Sequence, residues 1–311
     1  MAFSSLRILI GDVGGGGGDR GVFGGGNDGP YNVMDYITIS STGNATDFGN
    51  LTVPRAILAG TSNGATGRGI FAGGNDGSGQ SDVIDYITIS STGNTTDFGN
   101  LTVARQGLAG TSNGTTGRGV FGGGTTGSNS DVIDYITISS TGNATDFGNL
   151  TVARAVLAGC SSGTADRGVF GGGSTSTQSN VIDYITISSA GNATDFGDLT
   201  VARKDYLGAT SNGTGGRGVF GGGSTGSNSN IIDYITISSA GNATDFGDLT
   251  VARRALASTS NGTAGRGVFG GGYVSANSNV IDYITISSTG NATDFGDLTV
   301  ARYYPAALSD G

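Results

Sequence analysis

Apolar and polar residues alternate along this chain in short runs separated by glycine and asparagine. One run, Val132 to Ser139, reads VIDYITIS. As an extended strand it sends Ile133, Tyr135, Thr137 and Ser139 to one face and Asp134, Ile136 and Ile138 to the other. Its β-branched and aromatic residues favour that conformation. Three other runs complete the pattern: LAGTS (Leu58 to Ser62), ending in Asn-Gly; RGVFGGG (Arg118 to Gly124); and ATDFGDLTV (Ala193 to Val201). No window carries a 3.6-residue period over the length a helix needs.

The four runs recur in phase. Phe-Gly-Gly-Gly, once Phe-Ala-Gly-Gly, begins at Phe23, Phe71, Phe121, Phe170, Phe220 and Phe269. The Asp of DYITIS is Asp35, Asp85, Asp134, Asp183, Asp233 and Asp282. The Arg of TVAR, once TVPR, is Arg55, Arg105, Arg154, Arg203, Arg253 and Arg302. All three series step by 48 to 50 residues. Six units of about 49 residues, each with four short strands, predict an all-β, six-bladed β-propeller of four antiparallel strands per blade, spanning residues 1–311 as one domain.

Gly-Gly after an apolar strand, a tyrosine strand, an aromatic-centred fourth strand and an Arg before the next unit resemble kelch repeats. Phe48, Phe98, Phe147, Phe196, Phe246 and Phe295 stand where kelch units carry Trp, and the stretch from Tyr to that aromatic is longer. The resemblance implies the propeller fold. DYITISSTGNATDFG-type arrays are also similar to those of tailed-phage and marine viral proteins, which implies a virion or appendage component. TDFGD resembles the Asp-box turn of sialidase-type propellers, a structural feature placed between strands three and four.

The first strand occurs seven times and the others six. Arg7 to Gly11 and Arg302 to Gly311 both align with the segment that begins at Arg55. Residues 1–18 and 302–311 therefore compete to complete the closing blade. The displaced strand is expected to pair with another subunit, because an unpaired strand edge is a template for one.

Composition narrows the chemistry. The chain has no His and no Trp, every acid is Asp, and Lys204 is the one Lys. Without His there is no Ser-His-Asp or Cys-His catalysis, nor the copper ligation of galactose-oxidase-like propellers. A sialidase tyrosine would lack its Glu partner. A paired-Asp glycosidase has no distinguished pair, because each Asp of interest exists in six copies. The glycine triplets precede no helix and are not phosphate loops. Their expected role is to let the blades pack closely at the axis and to adopt positive φ, and Gly14 to Gly18 is expected to be a flexible turn. Cys160 is alone, so no intrachain disulfide forms. The net charge of −9 opposes nucleic acid and anionic membranes as partners. No run of 18 apolar residues is present, and MAFSSLRILI is too short and weakly apolar for a signal peptide. No cofactor, metal or membrane insertion is expected.

Arg20, Arg68, Arg118, Arg167, Arg217 and Arg266 precede the second strand, and the Arg55 series precedes the first. With the Asp35 and Asp47 series they are expected to form repeated blade-to-blade ion pairs and carbonyl contacts. A ring of six Arg or six Asp at the channel mouth, binding an anion or Ca²⁺, is the alternative. Asn44-Ala45-Thr46 and its copies have the form of glycosylation sequons and are expected to be turn residues.

Two segments vary among the units: the loop after Gly-Gly-Gly and the link after the TVAR Arg. In an up-and-down blade they share one face, and the constant Ser-Thr-Gly-Asn and Thr-Ser-Asn-Gly turns share the other. Tyr31, Lys204, Tyr206, Arg254 and Tyr273 are the candidate contacts on the variable face. Loop aromatics suit stacking on sugar rings or protein surfaces. The expected function is a non-enzymatic structural or interaction protein for assembly or attachment, and the alternative is a lectin-like binder of glycans.

Overall fold

The computed structural model describes residues 18–27, 31–64, 67–114 and 117–311. Twenty-four strands form six antiparallel sheets of four, which follow one another as the blades of a six-bladed propeller. In the second blade the strands run from the axis outward as Ala59–Ser62, Arg68–Ala72, Val83–Thr88 and Thr96–Asn100. The third strand is shorter than the apolar run suggests because a turn follows, as in the Ser140 N–H bond to the Thr137 carbonyl. Neighbouring blades cover both faces of that strand, so Ile133 and Asp134 are both buried despite pointing opposite ways.

The first blade draws its strands from both ends of the described chain. Ala306–Ser309 supplies its innermost strand, paired with Arg20–Gly24 from Gly21 opposite Ser309 to Gly24 opposite Ala306. The C-terminal segment thus closes the ring. The competing segment, Arg7 to Gly11, lies outside the described residues, as does most of the Gly14 to Gly18 run.

The core lies between blades. Val22, Met34, Phe48 and Leu51 of the first blade pack with Leu58, Phe71, Ile87 and Ile89 of the second. Such contact requires glycine at particular points. A Cβ on Gly24 would meet the Phe71 ring at 2.8 Å. One on Gly25, whose φ is +69°, would meet the Arg55 carbonyl at 2.4 Å. The glycine triplets therefore serve packing between blades, at a distance from the axis. At the axis the close approaches are made by Gly60, Gly110 and Gly159, each against the backbone of the neighbouring innermost strand.

The outermost strands are not free edges. Gly93 and Thr95, in the turn before the second blade's outermost strand, donate their N–H groups to the Phe48 and Asn50 carbonyls of the first blade. The Asn94 side chain accepts from the Asn50 N–H at 3.0 Å. Asn44, Asn143, Asn192, Asn242 and Asn291 make the equivalent bond. The sequon-like asparagines are thus turn residues with a defined task. TDFG is itself the outermost strand, Thr46–Asn50 in the first blade, so the Asp-box likeness, which needs a turn there, does not hold.

Candidate functional site

Both arginine series are engaged in contacts within and between blades. Each Arg of the Arg55 series lies on the crossover arm that leaves one blade and enters the next. Its guanidinium is fully buried against the third-strand Asp of the blade it enters. The six pairs are Arg55–Asp85, Arg105–Asp134, Arg154–Asp183, Arg203–Asp233, Arg253–Asp282 and Arg302–Asp35. The last of these ties the closing arm to the first blade at 2.8 Å. Each Asp also accepts a hydroxyl from the arm, as from Thr52 to Asp85 at 2.6 Å. Burial holds the arginines below their usual pKa, and it raises Asp85, Asp233 and Asp282 despite the paired guanidinium. A ring of Arg or Asp at the channel mouth is therefore not what these residues form.

The Arg20 series lies over the third-strand tyrosine of its own blade, Arg20 at 4.5 Å from the Tyr36 ring, and bonds to a carbonyl of the next blade, Ile89. Tyr36 meets Phe48 on the other side, edge to face at 6.1 Å. The Asp47 series, expected to share in the ion pairs, instead lies exposed, and the six pairs all use the Asp35 series.

The two variable segments meet on one face. The residue after each crossover Arg bridges to the residue after the glycine triplet, as Ala56 to Asn75 and Arg254 to Tyr273. Beyond it the arm turns in the left-handed region at Ile57, Gly107, Val156, Asp205 with Tyr206, Ala255 and Tyr304. These arms form a closed ring of backbone hydrogen bonds around the axis, each N–H donating to the carbonyl of the preceding arm. The donors are Ile57, Gly107, Val156, Tyr206, Ala255 and Tyr304, at 2.8 to 3.2 Å. Five of these six left-handed turns use a non-glycine residue, a strained choice that the closed ring enforces.

The arm entering the fifth blade is one residue longer than the others, so that Asp205 supplies the ring's carbonyl and Tyr206 its N–H. The Tyr206 side chain crosses the axis. Its hydroxyl donates to the carbonyl of Ile57, on the opposite arm, at 3.4 Å. A Cβ at Gly107 would lie 2.9 Å from that hydroxyl, so the glycine there leaves room for it. Beneath lies an axial cavity of about 70 Å³ lined by Leu58, Leu108, Leu157, Leu207, Leu256 and Pro305. On the opposite face the axis opens through a polar mouth of about 120 Å³, where Ser62, Ser112, Ser161, Ser211, Ser260 and Ser309 form a collar.

From Tyr206 an aromatic shelf runs outward over one sector. Tyr206 meets Tyr304 at 5.1 Å, Tyr304 meets Tyr303 at 4.8 Å, and Tyr303 meets Tyr273 at 5.7 Å. Arg254 lies 5.0 Å from the Tyr273 ring and donates to the Asn228 side chain. Asn27 donates to the Tyr303 hydroxyl at 3.0 Å. Burial, with Tyr304 and Asp205 nearby, holds the Tyr206 hydroxyl well above its ordinary pKa; burial and Asp205 raise Tyr304, partly offset by Arg254. Cys160, on an innermost strand, is pushed up to about 12 by burial alone.

Of the five candidates read from sequence, the structure joins Tyr206, Tyr273 and Arg254 in this shelf. Tyr206 is only 8% exposed, so it supports the shelf from below and offers little surface of its own. Tyr31 is half-buried in the loop of the first blade, outside the stack, with its backbone bonded to Gly26 and Arg55. Lys204 is half-buried, its backbone paired with Ser224. Tyr303 and Tyr304 connect the rest. They stand in the variable link after Arg302, and the sequence signal for them was that adjacent Tyr-Tyr replaces the small or aliphatic residues of most other links. Searches of family models and of curated proteins find no match to this chain.

Proposed function

We propose that this chain is a non-enzymatic interaction module that binds its partner on the face carrying the crossover arms, in assembly or attachment. One observation carries the reading. The constant turns before the outermost strands are occupied in clamping blade to blade, whereas the variable arms and loops bring four tyrosines and a cation together in one sector of an otherwise sixfold body. The repeated Arg, Asp and Tyr residues, the groups most able to do chemistry, are largely committed to ion pairs and ring contacts that hold the blades. The kelch-like units and their likeness to viral repeat arrays favour a virion or appendage as the setting.

The test compares the full chain with Tyr273→Ala/Tyr303→Ala and with a constant-face control, Thr92→Ala/Thr141→Ala, on arrays of immobilised polysaccharides, peptides and proteins. Binding should survive in the control and disappear in the tyrosine variant, with no turnover of the bound material. Binding that both variants retain, or that only the control loses, rejects the proposal.

A further inference from the structure

We infer that the tyrosine shelf is a site for an uncharged sugar, one site per molecule, with the sugar ring packed against Tyr273 and Tyr303 and its hydroxyl groups met by Arg254, Asp205 and Asn228. The inference rests on the interaction-module reading and specifies its ligand.

Four observations support a sugar over other partners. First, a sugar ring has an apolar C–H face and a polar rim, and the shelf has the same division. Tyr273, Tyr303 and Tyr304 are half-buried and offer part of their aromatic surface, while Arg254, Asn228 and Asp205 border them with donors and acceptors. Second, no aromatic stands in the bridged pairs of the other arms and their facing loops, which are Ala56 with Asn75, Gln106 with Thr125, Ala155 with Ser174 and Lys204 with Ser224. A protein partner needs about 800 Å² per side around an apolar centre, whereas the strongly exposed large apolar side chains among the described residues are single valines: Val274 in the shelf's own loop at 38%, and Val53, Val103, Val152, Val201 and Val251, one before each of five crossover arginines.

Third, the charges within the shelf balance. Arg254 lies over Tyr273, bonds to Asn228, and shares the Tyr304 environment with Asp205. The molecule carries −9 overall, so an acidic sugar meets net repulsion, and the one lysine on the variable face, Lys204, directly precedes Asp205 in the chain. Fourth, the shelf is rigid before binding. The rings support one another, and their arms belong to the closed axial hydrogen-bond ring, so little ordering opposes association.

The test is isothermal titration of the full chain with neutral oligosaccharides of glucose, N-acetylglucosamine, galactose and mannose. Sulfated and uronic oligosaccharides and a proline-rich peptide serve as comparisons. At least one neutral series should bind at 1:1, with affinity at least tenfold weaker in Tyr303→Ala, retained in Tyr303→Phe and unchanged in Thr92→Ala. Tyr273→Ala, remote from the closing strand, should give the same loss if Tyr303→Ala unfolds. No neutral oligosaccharide binding at millimolar concentration, or binding confined to acidic sugars and abolished by salt, overturns the inference. So does a stoichiometry of six. If the peptide alone binds, and Tyr303 is needed for it, the sugar is wrong while the interaction module stands. Sugar binding indifferent to both tyrosines removes both.

Discussion

The buried Arg–Asp pair repeats six times, and its energetics follow from desolvation. Each guanidinium and carboxylate has left water completely, and their attraction is offset by that loss. Removing one partner leaves the other charge buried alone. In the pair Arg253–Asp282, at 2.7 Å, Arg253→Met strands a carboxylate held by Thr250, and the carbonyls of Val280 and Phe269 each lose one donor. The expected destabilisation is about 3–5 kcal/mol by urea unfolding. Arg253→Met/Asp282→Leu removes both charges and should be more stable than Arg253→Met alone. If the losses simply add, the two groups are not coupled and the pairing has no energetic content. The pair illustrates how far residue-level reading reaches. Two series of opposite charge recurring in register announced ion pairs, and the structure adds that they anchor the arm to the blade it enters. That Asp35 and not Asp47 is the acid could not be read from spacing. The choice depends on which side of the third strand lies under the arm, and a bulge between Ile133 and Asp134 sets the outermost strand's register there.

The crossover arm is the element in which sequence and structure diverge most. Its length was legible, including the extra residue before Leu207, but its conformation was not. Ile57, Val156 and Tyr304 are residues that local preference places in extended backbone, and each adopts positive φ. The closing of six arms on one another overrides that preference, and a closure of this kind is invisible in any single unit. Tyr206 measures the competition. Its φ is +50°, directly after Asp205 at +61°. Tyr206→Ala removes the ring that spans the axis and should destabilise by about 3–5 kcal/mol. Tyr206→Gly removes the same ring and one methyl group more, yet it relieves left-handed strain of about 1 kcal/mol. The glycine variant should therefore be the more stable of the two in parallel urea titrations. The reverse order would mean that the arm abandons its left-handed turn once the ring is gone.

At the scale of the whole molecule, the propeller was legible because one pattern repeats six times, whereas its closure required a choice that two equally aligned ends left open. The structure decides it through Ala306–Ser309, which lies in the first blade against Arg20–Gly24. Three other contacts share that closure: Arg302 to Asp35, Thr299 to Asp35, and the Tyr304 N–H to the Ala255 carbonyl in the axial ring. Removing residues 303–311 would take away the innermost strand of one blade, expose Val22 and Phe71 where Leu308 and Ala306 now pack, and open the axial ring at one position. Each blade is buried against two neighbours, so the damage propagates in both directions from the gap. The truncated chain should lack a cooperative unfolding transition and should aggregate through the bared edge. A chain lacking residues 1–12 keeps all of these contacts and should unfold cooperatively near the full-length urea midpoint. Light scattering with urea titration of the two truncations separates the cases. A cooperative 1–302 chain, or an unfolded 13–311 chain, would assign the closing strand to the other end.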